Sequence, residues 1–163
     1  GLSAGGAMAA LLAFHHASRF DAVVAVAAPP LLGPGNLQDP RQVMARGLAI
    51  SAHLPVVLLR HCAPLLVLRG DADEVVAPAC TEQLATQAQQ VLARAHGPLQ
   101  ATAHPNGTDH EAGGRLWLRT LRLPGLGHAW TGGPGGHAYT PHEGPPLTAL
   151  ALDFIHTVTG DRP

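Results

Sequence analysis

A serine between two glycines opens the chain, because Gly1, Ser3 and Gly5 form the pattern G-x-S-x-G. On a tight turn from a strand into a helix, a serine adopts strained backbone geometry that exposes its hydroxyl. Flanking glycines remove side chains that would clash with the neighbouring strand and helix. The pattern therefore predicts that Ser3 is a nucleophile at such a turn, here called the elbow.

A serine hydroxyl is a weak nucleophile near neutral pH, so it needs a base, and the base needs a carboxylate that orients it. The candidate base is His128, which follows a predicted strand and a glycine-rich turn. Three candidate acids, Asp71, Asp73 and Glu74, directly follow another apolar stretch. Spacing alone leaves all three open, and a turn whose carboxylates accept backbone hydrogen bonds is the structural alternative.

The elements that must position these residues alternate along the chain. Apolar spacing and breakers predict helices over 3–18, 39–52, 78–95 and 147–158, and strands over 21–28, 64–69, 99–104 and 115–123. A turn-rich stretch, 105–114, is expected to join the last two strands as a hairpin. This alternation predicts an α/β fold with a parallel sheet covered by helices on both faces.

Composition excludes several classes of function. A chain of 163 residues, 46% hydrophobic, has the size of a single domain. Its net charge of −1 gives no electrostatic footprint for nucleic acid or an acidic membrane surface, and no apolar run approaches the length of a membrane span. Cys62 and Cys80 form no C-x-x-C pair and are expected to be buried, and the histidines are irregularly spaced, so no metal site is predicted.

Three segments carry a resemblance to a known family. Residues 3–9 resemble the elbow of the polyhydroxybutyrate depolymerase esterases, a group of α/β-hydrolases that includes feruloyl-esterase-like relatives. Residues 69–78 are similar to that family's acid segment, in which the acid lies three residues after a glycine. Residues 125–133 resemble its histidine segment, Gly-His-x-Trp-x-Gly-Gly. Arg69 is a departure, because the family commonly has histidine there.

The resemblance implies a serine esterase of the α/β-hydrolase fold. It selects Asp73 over the other two acids, so the implied triad is Ser3, Asp73 and His128. It also implies that the Ala4 N–H donates to the oxyanion, that Trp130 is a candidate wall of the substrate pocket, and that no metal or organic cofactor takes part. The implied partner is an ester, either a small molecule or a polyester chain end, and the implied compartment is secreted or periplasmic.

The elbow also requires a strand before it and a second oxyanion donor from an earlier loop. The expectation is therefore that residues 1–163 form a single domain that is the C-terminal portion of an α/β-hydrolase, lacking its N-terminal strands and inactive alone. Two alternatives remain open. One is an α/β-hydrolase peptidase or a dienelactone-hydrolase-like enzyme, and the other is an inactive fragment that serves only as an interaction module.

Overall fold

A computed structural model describes residues 1–32, 38–48 and 61–160. In this part of the chain the helices are α1 (Ala4–His15), α2 (Pro40–Arg46), α3 (Pro78–His96) and α4 (Leu147–Thr159), with a short 3₁₀ turn at Ala17–Arg19. The strands are β1 (Val23–Val26), β2 (Leu65–Gly70), β3 (Gln100–His104), β4 (Gly107–Ala112) and β5 (Arg115–Leu123).

The strands form one mixed sheet in the order β1-β2-β5-β4-β3. Strands β1, β2 and β5 are parallel, whereas β4 is antiparallel to both β5 and β3. Leu2 forms a parallel bridge with Val26, so the residues before the elbow lie beside β1 in the place of a further strand. The carboxyl ends of the parallel strands therefore lie at one edge of the sheet.

Burial on both faces explains why the first strands read as continuous apolar runs. In β2, Leu65 and Val67 face a core formed with α1 and α3. Leu66 and Leu68 point to the opposite face, where they pack with α4. A parallel strand between two helical layers needs apolar side chains on both of its faces. Strand β2 therefore contributes side chains to both hydrophobic cores.

The predicted α/β class is confirmed, and the predicted parallel pairing holds for β1, β2 and β5, whereas the sheet as a whole is mixed. The hairpin prediction was wrong, because residues 107–112 form β4, which pairs with both β3 and β5. The sequence Gly-Thr-Asp-His-Glu-Ala offers no apolar alternation, so its strand character comes from its neighbours on either side.

Two helices are shorter than predicted. Helix α1 ends at His15, and the rest of the predicted stretch forms the 3₁₀ turn. Helix α2 ends at Arg46 because Gly47 adopts a φ of 78°, which does not continue a helix. The remainder of that prediction, residues 49–52, lies outside the described residues.

Candidate functional site

Ser3 occupies a strained turn between the segment paired with β1 and the start of α1. Its φ of 58° and ψ of −127° are unusual for a residue with a side chain. The Ser3 N–H donates to the Val26 carbonyl oxygen at 2.9 Å, which ties the turn to the end of β1. The side chain caps no N–H of α1, so helix capping does not occupy the hydroxyl.

The glycines around Ser3 have different roles. A Cβ on Gly1 would overlap the carbonyl group of Gly5, and a Cβ on Gly6 would lie 2.8 Å from the Cβ of Ala28. A Cβ on Gly5 would meet nothing within 4 Å. The clash expected at Gly1 is confirmed and the one expected at Gly5 is wrong, because Gly6 is the residue that packs closely against β1.

The N–H of Ala4 is the free donor of the elbow. The next three N–H groups are used locally, since Gly5 donates to the Leu2 carbonyl while Gly6 and Ala7 donate to that of Ser3. Within the described residues the Ala4 N–H donates to no acceptor. It lies at the N-terminus of α1, where backbone dipoles favour negative charge. The predicted oxyanion role fits this position and stays a prediction.

Asp73 is a buried carboxylate with both oxygens engaged. It is only 6% exposed. Oδ1 accepts hydrogen bonds from the N–H groups of Val75 and Val76 at 2.9 and 2.8 Å. Oδ2 lies 2.8 Å from Nδ1 of His128. Two backbone donors satisfy the charge that burial would otherwise destabilise, and they hold Oδ2 towards the imidazole.

The other two candidate acids occupy different positions. Asp71 accepts hydrogen bonds from the Gly125 N–H at 2.6 Å and from the Arg122 guanidinium at 2.9 Å. Glu74 is exposed to solvent. Of the three acids, only Asp73 contacts the imidazole, and this is the acid that the family resemblance selects.

His128 follows β5 and presents its two ring nitrogens differently. An ionised carboxylate only accepts, so Nδ1 donates to Asp73 and Nε2 is left as the acceptor. The side chain is 7% exposed. The ring of Tyr139 lies against it edge to face, with 5.9 Å between centroids and 88° between planes. Asp73 and Tyr139 together restrict the orientation of the imidazole.

The three residues of the predicted triad follow three parallel segments of one sheet. Ser3 follows the segment bridged to β1, Asp73 follows β2, and His128 follows β5. Their positions therefore share the carboxyl edge, where α/β sheets bind ligands. The structure joins Asp73 to His128 directly, whereas no hydrogen bond joins the Ser3 hydroxyl to His128 within the described residues.

Trp130 anchors the segment that follows His128. Its indole N–H donates to the Thr148 hydroxyl at 3.1 Å, and its backbone N–H donates to the Tyr139 carbonyl at 2.8 Å. The first contact attaches the segment to the first turn of α4, and the second attaches it to the loop before α4. The role of Trp130 as a pocket wall stays a prediction.

Neither the position of Tyr139 beside His128 nor the contacts of Asp71 are predicted by the sequence patterns. Tyr139 lies in a stretch rich in glycine and proline, where no periodic pattern indicates which side chain turns back to the site. The sequence patterns indicate Asp71 only as one of the three candidates for the acid of the triad. A second aspartate two residues before Asp73 is the available signal, but its partners come from more than 50 residues along the chain.

A separate cleft of about 530 Å³ lies between α3 and the antiparallel part of the sheet. His110 lines it, and Nδ1 of this residue is buried with no hydrogen-bond partner in the described chain. Burial lowers the pKa of His110. The residues that line the cleft include none of Ser3, Asp73 and His128, so it is distinct from the candidate site at the carboxyl edge.

Metal-binding and membrane-spanning features are absent from the described ranges. No cluster of three or more His, Cys, Asp or Glu side chains there could hold a metal ion. Cys62 and Cys80 are buried, as predicted, and both are free thiols. Burial raises the pKa of Cys62 to about 11. Within the same ranges no helix has the length and apolar character needed to cross a bilayer.

Comparison with solved structures finds a neighbour of similar fold. It is a serine-to-alanine variant of a PHB depolymerase in complex with an R3HB trimer, matched with a TM-score of 0.65 and 16% sequence identity. The match covers 95% of this chain and 49% of that chain, so this chain spans about half the length of the solved structure. No protein-family model and no curated protein sequence matches. The fold of this chain is therefore similar to half of a PHB depolymerase.

Proposed function

We propose that the protein is a serine hydrolase of the α/β-hydrolase fold that cleaves carboxylic esters through Ser3, Asp73 and His128. The observation that carries the proposal is the 2.8 Å contact between Nδ1 of His128 and the buried Asp73 carboxylate. It leaves Nε2 as a base at the edge that also carries the strained Ser3 turn. A buried acid paired with an imidazole, at the sheet edge that also carries a serine on a strained turn, supports acyl transfer.

In the proposed reaction, Ser3 Oγ attacks the ester carbonyl carbon and His128 Nε2 accepts the hydroxyl proton. Asp73 stabilises the imidazolium and keeps Nδ1 protonated. The C–O bond to the alcohol then breaks, and His128 returns the proton to the leaving oxygen. Water, deprotonated by His128, attacks the acyl-enzyme and releases the acid and free Ser3.

The Ala4 N–H donates to the oxyanion in this scheme. Its support is the absence of an acceptor within the described residues and its place at the N-terminus of α1. One such donor contributes on the order of 3 kcal/mol of transition-state stabilisation. Trp130 lies two residues after the base and is proposed as a wall of the acyl or alcohol pocket.

The proposed substrates are esters of the 3-hydroxybutyrate type or feruloyl type. Support for the first comes from the neighbour, which was solved with an R3HB trimer. We further propose that residues 1–163 form only part of a larger domain, because nearly the whole chain matches 49% of that structure. Segments outside residues 1–163 then supply the second oxyanion donor, and residues 1–163 alone are inactive.

The test is hydrolysis of short 3-hydroxybutyrate oligomers and feruloyl esters by the full natural chain that contains these residues. We expect turnover of at least one ester class and its loss in Ser3→Ala. Gly5→Ala is a matched control, because the space beside Gly5 is open. Undiminished turnover in Ser3→Ala, or no turnover of any ester by the wild type, would contradict the proposal. Turnover by residues 1–163 alone would contradict only the proposed need for further segments.

A further inference from the structure

Two acids of one turn reach the segment that carries His128, but at different points. Asp73 contacts the imidazole, whereas Asp71 contacts the backbone ahead of it. Oδ1 of Asp71 accepts from the Gly125 N–H at 2.6 Å, three residues before His128. Oδ2 accepts from Arg122 at 2.9 Å, near the end of β5. One carboxylate thus spans the end of the strand and the turn that follows it.

Backbone hydrogen bonds run across the same gap. The Asp71 N–H donates to the Leu123 carbonyl at 3.3 Å, and the Ala72 N–H donates to the Leu126 carbonyl at 3.1 Å. The two segments also approach too closely for a side chain at Gly70, where a Cβ would overlap the Leu126 carbonyl oxygen. The acid turn and the histidine segment are therefore packed together along residues 122–126.

The Gly125 N–H belongs to a tight turn, since Gly125 has a φ of 73°, and a carboxylate is well suited to accept it. Hydrogen bonds to an ionised acceptor are shorter and stronger than neutral ones. The Gly125 N–H and then the Arg122 guanidinium lower the pKa of Asp71 below its ordinary value. The carboxylate therefore stays ionised and keeps both contacts across the neutral range.

We infer that Asp71 is a positioning residue, which fixes the backbone of the His128 segment relative to the acid turn and so sets the contact between His128 and Asp73. It touches no reacting atom. Sites built on loops are held at productive geometry only by supporting contacts of this kind. The kinetic consequence of this inference rests on the proposed function, but its structural consequence does not.

The test compares Asp71→Ala with Glu74→Ala in the full natural chain. Glu74 comes from the same turn, is exposed, and has no hydrogen bond within the described residues. Two NMR readouts need no activity: hydrogen exchange of the Gly125 amide and the low-field proton signal of His128 Nδ1–H. We expect exchange to become at least about tenfold faster and the low-field signal to broaden in Asp71→Ala only.

Ester hydrolysis supplies the kinetic readout. We expect kcat to fall about tenfold in Asp71→Ala with KM within about twofold, because a displaced base slows chemistry without removing substrate contacts. Asp71→Asn should restore part of the loss, since its amide oxygen can still accept from Gly125. Arg122→Met removes one contact only and should show a smaller effect, which keeps the test available if Asp71→Ala fails to fold.

Retention of the low-field signal and of kcat in Asp71→Ala would overturn the inference. If the wild type hydrolyses no ester, the proposed function is contradicted. The two NMR readouts would still decide the role of Asp71. An equal effect of Glu74→Ala would show that any charge change in this turn disturbs the site, and would also overturn the inference.

Discussion

Two buried carboxylates differ in their main side-chain partner: one lies on the antiparallel strand β4, and the other lies in the turn after the parallel strand β2. Asp109, in the antiparallel half, is bound at both oxygens by the Arg119 guanidinium at 2.7 and 2.8 Å. Asp73, in the parallel half, is bound by two backbone N–H groups and by His128. Both are under 10% exposed, so burial alone does not distinguish them.

The partner decides what each carboxylate can do. Arginine keeps its charge at any pH a protein tolerates, so the Asp109–Arg119 pair holds no proton that can move. The second partner of Asp109, Nε2 of His104 at 3.3 Å, is on a side chain that is 44% exposed. Histidine gains and loses a proton near neutral pH, so the Asp73–His128 pair can take part in proton transfer. A buried acid therefore indicates a reaction site when its closest side-chain partner is a titratable group that is itself buried, as His128 is beside Asp73.

The largest expected effect separates the two acids by activity. In the full natural chain, Asp73→Asn should lower kcat for ester hydrolysis by roughly 10³–10⁴-fold, because the amide no longer holds Nδ1 of His128 protonated. Asp109→Asn is the matched control and should change kcat by less than about threefold. Steady-state kinetics on one soluble ester measure both. Similar losses of kcat in the two variants would show that the two carboxylates do not differ in their role in the reaction.

The second prediction concerns stability. Asp109→Ala leaves the Arg119 guanidinium without its bidentate partner in a partly buried position, and should lower the free energy of unfolding by about 2 kcal/mol. The double variant Asp109→Ala/Arg119→Met should recover part of this loss. Urea denaturation gives the values. An unfolding free energy unchanged in Asp109→Ala would show that the pair adds no stability.

The third prediction is a pH dependence. The Arg119 hydrogen bonds lower the pKa of Asp109, with His104 contributing a further contact. Because the folded pKa lies below the unfolded one, the stabilisation is present above the unfolded value of about 3.9 and is lost as pH falls through the folded pKa. Unfolding free energies between pH 5 and pH 3 should therefore fall more steeply in the wild type than in Asp109→Asn. Equal slopes would contradict the assignment.

The smallest expected effect is at Tyr139. This residue is 56% exposed, yet its ring lies against His128. An aromatic pair of this kind contributes about 0.5–1.5 kcal/mol, so Tyr139→Ala should lower kcat by roughly twofold to tenfold. Tyr139→Phe keeps the ring and should match the wild type. A loss in Tyr139→Phe equal to that in Tyr139→Ala would move the role from the ring to the hydroxyl.

The sequence predicted the parallel half better than the antiparallel half for a physical reason. Strands β1 and β2 are buried on both faces, so their composition alone marks them. Strand β4 is polar and is a strand because it pairs with β3 and β5. A local hydrophobic pattern does not indicate such pairing. Motifs were likewise enough to single out Ser3 and His128 as candidates.

The details of the site depend on distant partners. Local spacing does not distinguish Asp71, Asp73 and Glu74. The contacts that distinguish Asp71 and Asp73 come from the end of β5 and the segment after it, more than 50 positions away. Gly6, which packs against Ala28, lies in the segment 3–9 but outside the G-x-S-x-G pattern, so the pattern alone assigns it no role. Such contacts follow from the packing of loops, which the sequence does not display.

The central claim is that Ser3 is activated by the Asp73–His128 pair. Its most direct measurement is the rate of fluorophosphonate labelling, with the adduct mapped by peptide mass spectrometry in the full natural chain. If the pair activates Ser3, we expect an adduct on Ser3 that forms rapidly in the wild type and in Asp109→Asn. In His128→Ala the same adduct should form at least about a hundredfold more slowly. An adduct on another residue, or labelling of Ser3 at the wild-type rate in His128→Ala, would contradict it.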